Sequence, residues 1–417
     1  MVKLGGAVLV QGAGAVFCAG VSFALTLWLA RVLGTEGFGA YVALLSLATL
    51  ALMLQEGGWP AWLYRERARA DAGLGNGVSR LIMGRFLVHV GAVSLVLGVG
   101  AWWWSGWDLA MALLAMACVA VMNGVSAGLR GAAEFGRDAA WQSWGRVVSA
   151  GAVAGVLGWG SVSLAAVFGA WAAGLAMVLL AGGWWWHQQA QPGQGAVVVW
   201  PVVPVWAGWR VYRQDLVRVW PFAFMAAAGA WLLKGDVVVL AWWGSVPVDA
   251  VALSWYAACT RLLEAALLLF APVANVLLRS FSDDLRAGRA LALRGRVARW
   301  CLLVGGLGAL AVTLAWAVGP GLMALLFGAP YAEAGQVLPW VLAMLPFALA
   351  NSVMGPWLAA LGRERGLALG MLLAGALLLL ALLWAVPVWG LQGAAVAVAV
   401  SHAVLLVWGW WLGGRSA

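Results

Sequence analysis

Apolar residues run along this chain in long stretches that are separated by short clusters of charged and turn-forming residues. A helix needs roughly 20 apolar residues to cross the ~30 Å hydrocarbon core of a bilayer, and most of these stretches are about that long. They predict an all-α membrane protein with about 12 transmembrane helices, named here spans one to twelve. The predicted bounds are 5–33, 38–59, 81–105, 108–129, 141–159, 161–186, 218–243, 249–279, 299–327, 333–361, 366–388 and 390–413.

The composition supports a membrane protein and excludes a soluble one. Of the 417 residues, 65% are apolar and 9% are charged, and the mean hydropathy is +0.95. Soluble domains carry about a quarter charged residues. The four cysteines (Cys18, Cys118, Cys259 and Cys301) all lie within apolar stretches. We therefore interpret them as buried thiols, not as disulfide partners or metal ligands.

The basic residues predict the orientation in the membrane. If the N-terminus is cytoplasmic, all but three of the 24 Lys and Arg residues fall at the cytoplasmic side. The exceptions are Arg31, near an outer boundary, and Lys234 and Arg261, within spans. Cytoplasmic loops of membrane proteins carry such an excess of positive charge. We therefore predict that both termini are cytoplasmic, and that the net charge of +9 reflects topology and no nucleic-acid partner.

The longest connection between spans predicts the domain organisation. Residues 187–217 follow span six, and their apolar part is interrupted by Pro201 and Pro204 and is too short to cross a bilayer. We predict a six-helix bundle at 1–186, a cytoplasmic or interfacial linker at 187–217 and a second six-helix bundle at 218–417. Because six is even, the two halves would be parallel repeats.

Four ionisable side chains fall within predicted spans: Lys234 and Asp236 in span seven, and Arg261 and Glu264 in span eight. Such groups cost several kcal/mol in a bilayer unless they are paired or hydrated, so they are functional candidates. At about 1.5 Å per residue, Lys234 and Arg261 lie at similar depths in adjacent helices. Arg261 and Glu264 share a helix face and can pair, whereas Lys234 and Asp236 are expected to point to nearly opposite sides.

Two interpretations of these charges remain open. They can line a hydrated, net-basic cavity that attracts an anionic head group, with Asp236 partly neutralising Arg261. They can instead form a structural ion-pair cluster that locks two helices together, and both interpretations can hold at once.

Three further polar residues are weaker candidates. Glu56, near the inner end of span two, is either part of a gate or a helix-end charge. Gln11 in span one either bonds to a neighbouring helix or lines a cavity, and Arg31 has the ordinary explanation of snorkelling to the interface. The three histidines are scattered, and the sequence has no nucleotide-binding loop or nucleophile motif. We predict no enzymatic activity, no metal and no cofactor.

Seven short motifs occur in the same order as in the polysaccharide-biosynthesis flippases of the multidrug/oligosaccharidyl-lipid/polysaccharide exporter superfamily. They are residues 29–41 (LARVLGTEGFGAY), 56–58 (EGG) with 65–66 (RE), Asp236, 256–262 (YAACTRL), 327–331 (FGAPY), 361–363 (LGR) and 387–395 (PVWGLQGAA). The chain resembles this family over essentially its whole length. It departs from the family pattern at Glu56, where aspartate is commoner, and in being somewhat short.

The resemblance implies a fold like that of the MATE transporters, with two six-helix bundles around a central cavity. It implies translocation of an undecaprenyl-diphosphate-linked oligosaccharide across the bacterial inner membrane by alternating access, for assembly of O-antigen, capsule or exopolysaccharide. Expected partners are this glycolipid, membrane lipids, and a polysaccharide polymerase with other assembly proteins. The expected substrate-binding residues are Arg261, Lys234, Arg31 and Gln11, and the expected ion-coupling or gating residues are Asp236, Glu264 and Glu56.

Two alternatives to a flippase stay open at this point. An ion-coupled drug or cation antiporter of the same superfamily would share the span count, but we expect it to favour acidic residues in its cavity. A membrane enzyme that acts on lipid-linked sugars is the second alternative.

Overall fold

The protein is helical throughout the part of the chain that the computed structural model describes, residues 2–69, 72–160, 163–189, 208–242 and 248–414. The predicted all-α fold is therefore confirmed. The α-helices are α1 (Val2–Glu56), α2 (Trp59–Arg69), α3 (Ala72–Ser105), α4 (Trp107–Gly131), α5 (Phe135–Gly158), α6 (Leu164–Gln189), α7 (Trp209–Trp242), α8 (Ala250–Arg286), α9 (Ala290–Phe327), α10 (Ala334–Leu342), α11 (Leu345–Ala360) and α12 (Glu364–Gly414). A short 3₁₀ turn, Ala329–Tyr331, follows α9.

Two of these helices are long enough to hold two predicted spans each. α1 has 55 residues and is broken at Gly34, which has φ 68° and ψ −176°. α12 has 51 residues and is broken at Gly390, which has φ 55° and ψ −130°. A side chain would strain both conformations, so glycine is the residue that permits each break. The breaks separate span one from span two and span eleven from span twelve.

Nine helical stretches in the described part of the chain are long and apolar enough to cross a membrane. They are Gln11–Glu56, Ser79–Ser105, Trp107–Gly131, Leu164–Trp184, Trp209–Trp242, Ala250–Leu268, Ala292–Phe327, Ala334–Ala360 and Glu364–Gly414. The first and the last contain two predicted spans each. Span five corresponds to α5, which is less apolar because Gln142, Ser143 and Arg146 interrupt it. The protein is thus a multi-pass membrane protein with about twelve helices.

The short helix α2 was not predicted. It follows Gly57 and Gly58, which both have positive φ, and it buries Trp59, Trp62 and Leu63 against α3 and α4. The backbone of α7 comes very close to Gly58, since a Cβ atom there would lie 2.5 Å from the Val219 carbonyl oxygen. The predicted spans end at residue 59 and resume at residue 81, which leaves most of α2 in a predicted cytoplasmic connection.

Contacts between residues divide the chain into two compact units. Unit 1 comprises Met1–Leu25 and Leu47–Ala230, and in it α4 packs against α3, α5 and α6. Unit 2 comprises Thr26–Ser46 and Trp231–Ala417, and in it α9 packs against α10 and α11, which also contact α8. The domain boundaries predicted around a linker at 187–217 stay a prediction, and residues 190–207 of that linker lie outside the described residues.

Two of the sequence motifs meet inside unit 2. The Tyr331 hydroxyl donates to the carbonyl oxygens of Ala30 and Gly34, at 3.3 and 3.4 Å, on either side of the last turn before the break in α1. The rings of Phe38 and Tyr331 pack edge to face, with centroids 6.1 Å apart. A Cβ atom at Gly39 would lie only 2.3 Å from the Ala250 carbonyl oxygen at the start of α8. These motif residues therefore hold the break in α1 against α8 and the 3₁₀ turn.

Candidate functional site

Five side chains of α7 and α8 in unit 2 are named here the α7–α8 cluster: Lys234, Arg261 and Glu264, which form ion pairs, and Asp236 and Tyr256, which share a hydrogen bond. The Lys234 ammonium donates to Oε1 of Glu264. Nη1 of Arg261 donates to Oε2 of the same carboxylate at 2.8 Å. Each oxygen of Glu264 therefore binds one cation, and the predicted pairing of Arg261 with Glu264 is present. The cluster joins two helices, as the structural interpretation requires.

Asp236 faces α8 but does not neutralise Arg261 directly. Its Oδ2 accepts a hydrogen bond from the Tyr256 hydroxyl at 2.6 Å, and its Oδ1 accepts one from the backbone N–H of Val237 at 2.8 Å. The prediction that Lys234 and Asp236 point to nearly opposite sides was wrong, because both reach α8. Tyr256 and Glu264 are about two helical turns apart on one face of α8. The long side chain of Lys234 lets its ammonium reach the second of these positions.

The guanidinium of Arg261 has hydrogen-bonding capacity that no described residue uses. Its Nε and Nη2 atoms are buried and have no hydrogen-bond partner, although Nη1 is bound to Glu264. A buried donor without a partner costs about 1–3 kcal/mol. Nε and Nη2 form one edge of the guanidinium, and such an edge binds a phosphate or carboxylate with two parallel hydrogen bonds. Lys234, which is 7% exposed, adds a second positive charge on the other side of Glu264.

Gln11 lies in a different network, in unit 1. Its Nε2 donates to Oδ2 of Asp138 at 3.3 Å, and Oδ1 of Asp138 accepts from the Ser126 hydroxyl. Arg130 lies 3.7 Å from the same carboxylate. Gln11 therefore connects α1 to α5, which is the helix-bonding alternative of the two. Asp138 was not singled out from the sequence, because it lies in a stretch that was assigned to an inside loop.

Glu56 also has a partner within unit 1. Its Oε1 accepts a hydrogen bond from Nδ2 of Asn123 in α4 at 2.7 Å. Asn123 was missed because a single uncharged amide changes the local hydropathy very little. The contact joins the end of α1 to the middle of α4 and leaves the gating role of Glu56 a prediction.

Arg31 binds the end of a helix in unit 2. Its Nη2 donates to the carbonyl oxygens of Leu325 and Leu326, each at 2.9 Å. These carbonyls belong to the last turn of α9, where helical acceptors have no partner within the helix and a positive charge is favourable. Arg31 is therefore a cap of α9, and a contact with substrate stays a prediction.

The described residues contain no group of three or more His, Cys, Asp or Glu side chains that is placed to hold a metal ion. The four cysteines are free thiols. The α7–α8 cluster, which presents cations and hydrogen-bond donors, is the principal candidate site.

Solved transporter structures share this fold. A lipid II flippase MurJ in an inward closed conformation aligns with a TM-score of 0.72 and 10% identity, over 99% of this chain and 87% of that one. An inward-facing multidrug resistance MATE family transporter of the MOP superfamily aligns with a TM-score of 0.66 and 12% identity, over 98% of both chains. A MOP superfamily transporter from Pyrococcus furiosus aligns with a TM-score of 0.61 and 13% identity, over 98% of this chain and 95% of that one. The predicted MATE-like fold is therefore confirmed.

The sequence has no significant match among curated proteins. It does match the model of a known protein family. The model of a family described as "Polysaccharide biosynthesis protein" matches residues 6–278, which include the α7–α8 cluster. This match extends over more than half of the chain, and it agrees with the resemblance inferred from the seven motifs. The chain belongs to the polysaccharide biosynthesis protein family.

Proposed function

We propose that this protein is a flippase that moves an undecaprenyl-diphosphate-linked oligosaccharide across the bacterial inner membrane, with both of its termini in the cytoplasm. The glycan would serve the assembly of O-antigen, capsule or exopolysaccharide. Membership of a polysaccharide biosynthesis family and a fold shared with lipid II flippase and MATE transporters support this proposal. The observation that carries it is the pair of unpartnered donors on Arg261.

The chemistry of such a substrate matches the α7–α8 cluster. A diphosphate needs positive charge and hydrogen-bond donors on its way through the bilayer, whereas the polyprenyl tail can stay in lipid. The Nε–Nη2 edge of Arg261 offers two donors, and Lys234 reinforces the positive charge. Both nitrogens are covered in this conformation, so the diphosphate would bind them in a conformation that opens this side of α8. Alternating access by rocking of repeats supplies such a conformation.

The carboxylates of the cluster have supporting roles in this proposal. Glu264 holds Lys234 and Arg261 close together, which concentrates positive charge in one place. Asp236 accepts from Tyr256 and is a candidate for binding a coupling ion or a proton when that hydrogen bond opens. Because both oxygens of Glu264 are taken by cations, the cluster offers an organic cation little free negative charge, which speaks against a drug or cation antiporter.

The test is transport by purified protein in proteoliposomes, with a fluorescent polyprenyl-diphosphate saccharide as the probe. We expect Arg261→Ala to lower the rate of translocation at least about tenfold, because it removes hydrogen bonds to a charged group. Lys234→Ala should lower it as well. Arg286→Gln is the matched control, since Arg286 is in the same helix with its side chain 79% exposed, and it should transport normally.

Three outcomes would overturn the proposal. The first is full translocation by Arg261→Ala and Lys234→Ala proteins that are inserted at normal levels. The second is ion-driven uptake of a cationic dye by proteoliposomes that do not move the glycolipid, which would show an antiporter. The third is a new covalent product from the labelled glycolipid, which would show a membrane enzyme.

A further inference from the structure

A groove of about 770 Å³ lies within unit 2, between α9, α11 and α12. Most of its lining is apolar or aromatic and includes Cys301, Leu302, Met354, Val407 and Trp410. Leu302 is 75% exposed and Val407 is 70% exposed, and both lie in helices that are apolar enough to cross a membrane. Exposed apolar side chains in such helices are suited to contact with acyl chains, because lipid tails are as apolar as leucine.

Among the described residues that line this groove, Arg294 is the one with a charged side chain. Its guanidinium carbon lies 5.4 Å from the centre of the Trp410 ring, in a cation–π contact. Glycine at position 414 leaves room for this arrangement, because a Cβ atom there would lie 3.3 Å from Nη2 of Arg294. The N–H donors of the guanidinium make no hydrogen bond or ion pair with any described residue, so they are available to a ligand.

We propose that this groove binds one anionic phospholipid of the surrounding bilayer, with its phosphate on Arg294 and an acyl chain along Leu302 and Val407. A phosphodiester carries a single negative charge, which one guanidinium matches, whereas a polyprenyl diphosphate carries more charge than Arg294 alone can balance. The predicted topology places Arg294 at the cytoplasmic leaflet, where basic pockets between transmembrane helices bind anionic head groups. This site is separate from the α7–α8 cluster and does not depend on the proposed transport function.

The experiment compares binding of phosphatidylglycerol and phosphatidylcholine with identical acyl chains to the full-length protein in detergent, by native mass spectrometry. For the wild type we expect one phosphatidylglycerol to bind at least about fivefold more tightly than phosphatidylcholine, because one arginine near an anionic lipid strengthens binding by about this factor. Arg294→Gln should abolish this preference, and Arg294→Lys should retain only part of it, because lysine lacks the planar fork. Arg299→Gln is the matched control, since it removes an exposed arginine of the same helix outside the groove.

The outcomes separate the sources of the lipid phosphate. Loss of the preference in Arg294→Gln but not in Arg299→Gln supports the proposal. Equal loss in both variants would overturn it, because overall positive charge would then explain the binding. The proposal would also be overturned if polyprenyl diphosphate displaced phosphatidylglycerol from the wild type, but not from Arg294→Lys, at a concentration below that of the phosphatidylglycerol. That result would assign the groove to the transport substrate. A melting temperature close to that of the wild type checks that each variant is folded.

Discussion

Glu264 is the residue that holds the charges of the α7–α8 cluster together. Its two carboxylate oxygens bind Lys234 on one helix and Arg261 on its own helix. Without this carboxylate, two buried cations would face each other with no anion between them. Removal of one partner from a buried ion pair is destabilising because the remaining charge has lost both water and its counter-ion.

We expect Glu264→Gln to lower the free energy of unfolding by about 3–5 kcal/mol, measured by denaturation in detergent. Asp283→Asn is the control, because it removes a carboxylate of the same helix whose side chain is 56% exposed, and it should cost about 1 kcal/mol or less. The double variant Lys234→Met with Glu264→Gln should regain part of the loss, since it removes one of the repelling cations. Equal effects of Glu264→Gln and Asp283→Asn would contradict the description of this cluster.

At the residue scale, the sequence showed which side chains to examine but not which groups they bind. The Arg261–Glu264 pair was predictable because residues three apart share a helix face. The hydrogen-bond partners of Asp236 and Glu56 could not be predicted, because Tyr256 and Asn123 carry no charge and lie on other helices. Their contacts depend on how each helix is rotated, which hydropathy does not record.

At the element scale, the break at Gly34 shows how one residue separates two spans. Its φ of 68° with ψ near 180° is a conformation that is almost restricted to glycine. We expect Gly34→Ala to destabilise the protein by about 1–3 kcal/mol, seen as a lower melting temperature in detergent. Gly20→Ala is the control in the same helix, because Gly20 is helical and a Cβ atom there has no neighbour within 4 Å. If Gly34→Ala were as stable as Gly20→Ala, the break would not require glycine.

The cap that Arg31 places on α9 leads to a second prediction at this scale. Arg31→Gln should lower stability by about 1 kcal/mol, because a cation at a helix C-terminus is lost along with its hydrogen bonds to Leu325 and Leu326. The rate of glycolipid translocation per folded molecule separates this cap from the predicted substrate contact, because loss of the cap alone leaves that rate near that of the wild type. An unchanged melting temperature together with weaker binding of the glycolipid would instead show that Arg31 contacts the substrate.

The helix α2 marks the limit of sequence interpretation at this scale. A transmembrane span is recognised in a sequence by its length and apolar content. The helix α2 is short, carries four charged residues and is stabilised by packing of its tryptophans on α3 and α4. Short helices of this kind are marginal in isolation and depend on their tertiary contacts.

For the whole molecule, the predicted topology can be tested with single cysteines in a version whose four native cysteines are replaced by serine. Trp159 is 92% exposed and follows α5, at the predicted outer side. Ala287 is exposed and follows α8, at the predicted cytoplasmic side. In intact cells, a membrane-impermeant maleimide should label Trp159→Cys, and it should label Ala287→Cys only after permeabilisation. The opposite pattern would place both termini outside.

The sequence by itself determined that the chain crosses a membrane about twelve times, where most spans lie, and which family it resembles. The number and positions of the spans follow from the cost of placing charges in hydrocarbon, which depends on each segment alone. The resemblance rests on the seven short motifs. Only the tertiary structure decided that Thr26–Ser46 groups with the C-terminal part of the chain, that Glu264 binds two cations and that Arg261 keeps two donors unpartnered. These features depend on the rotation and spacing of helices relative to one another, which the hydropathy of a single segment does not record.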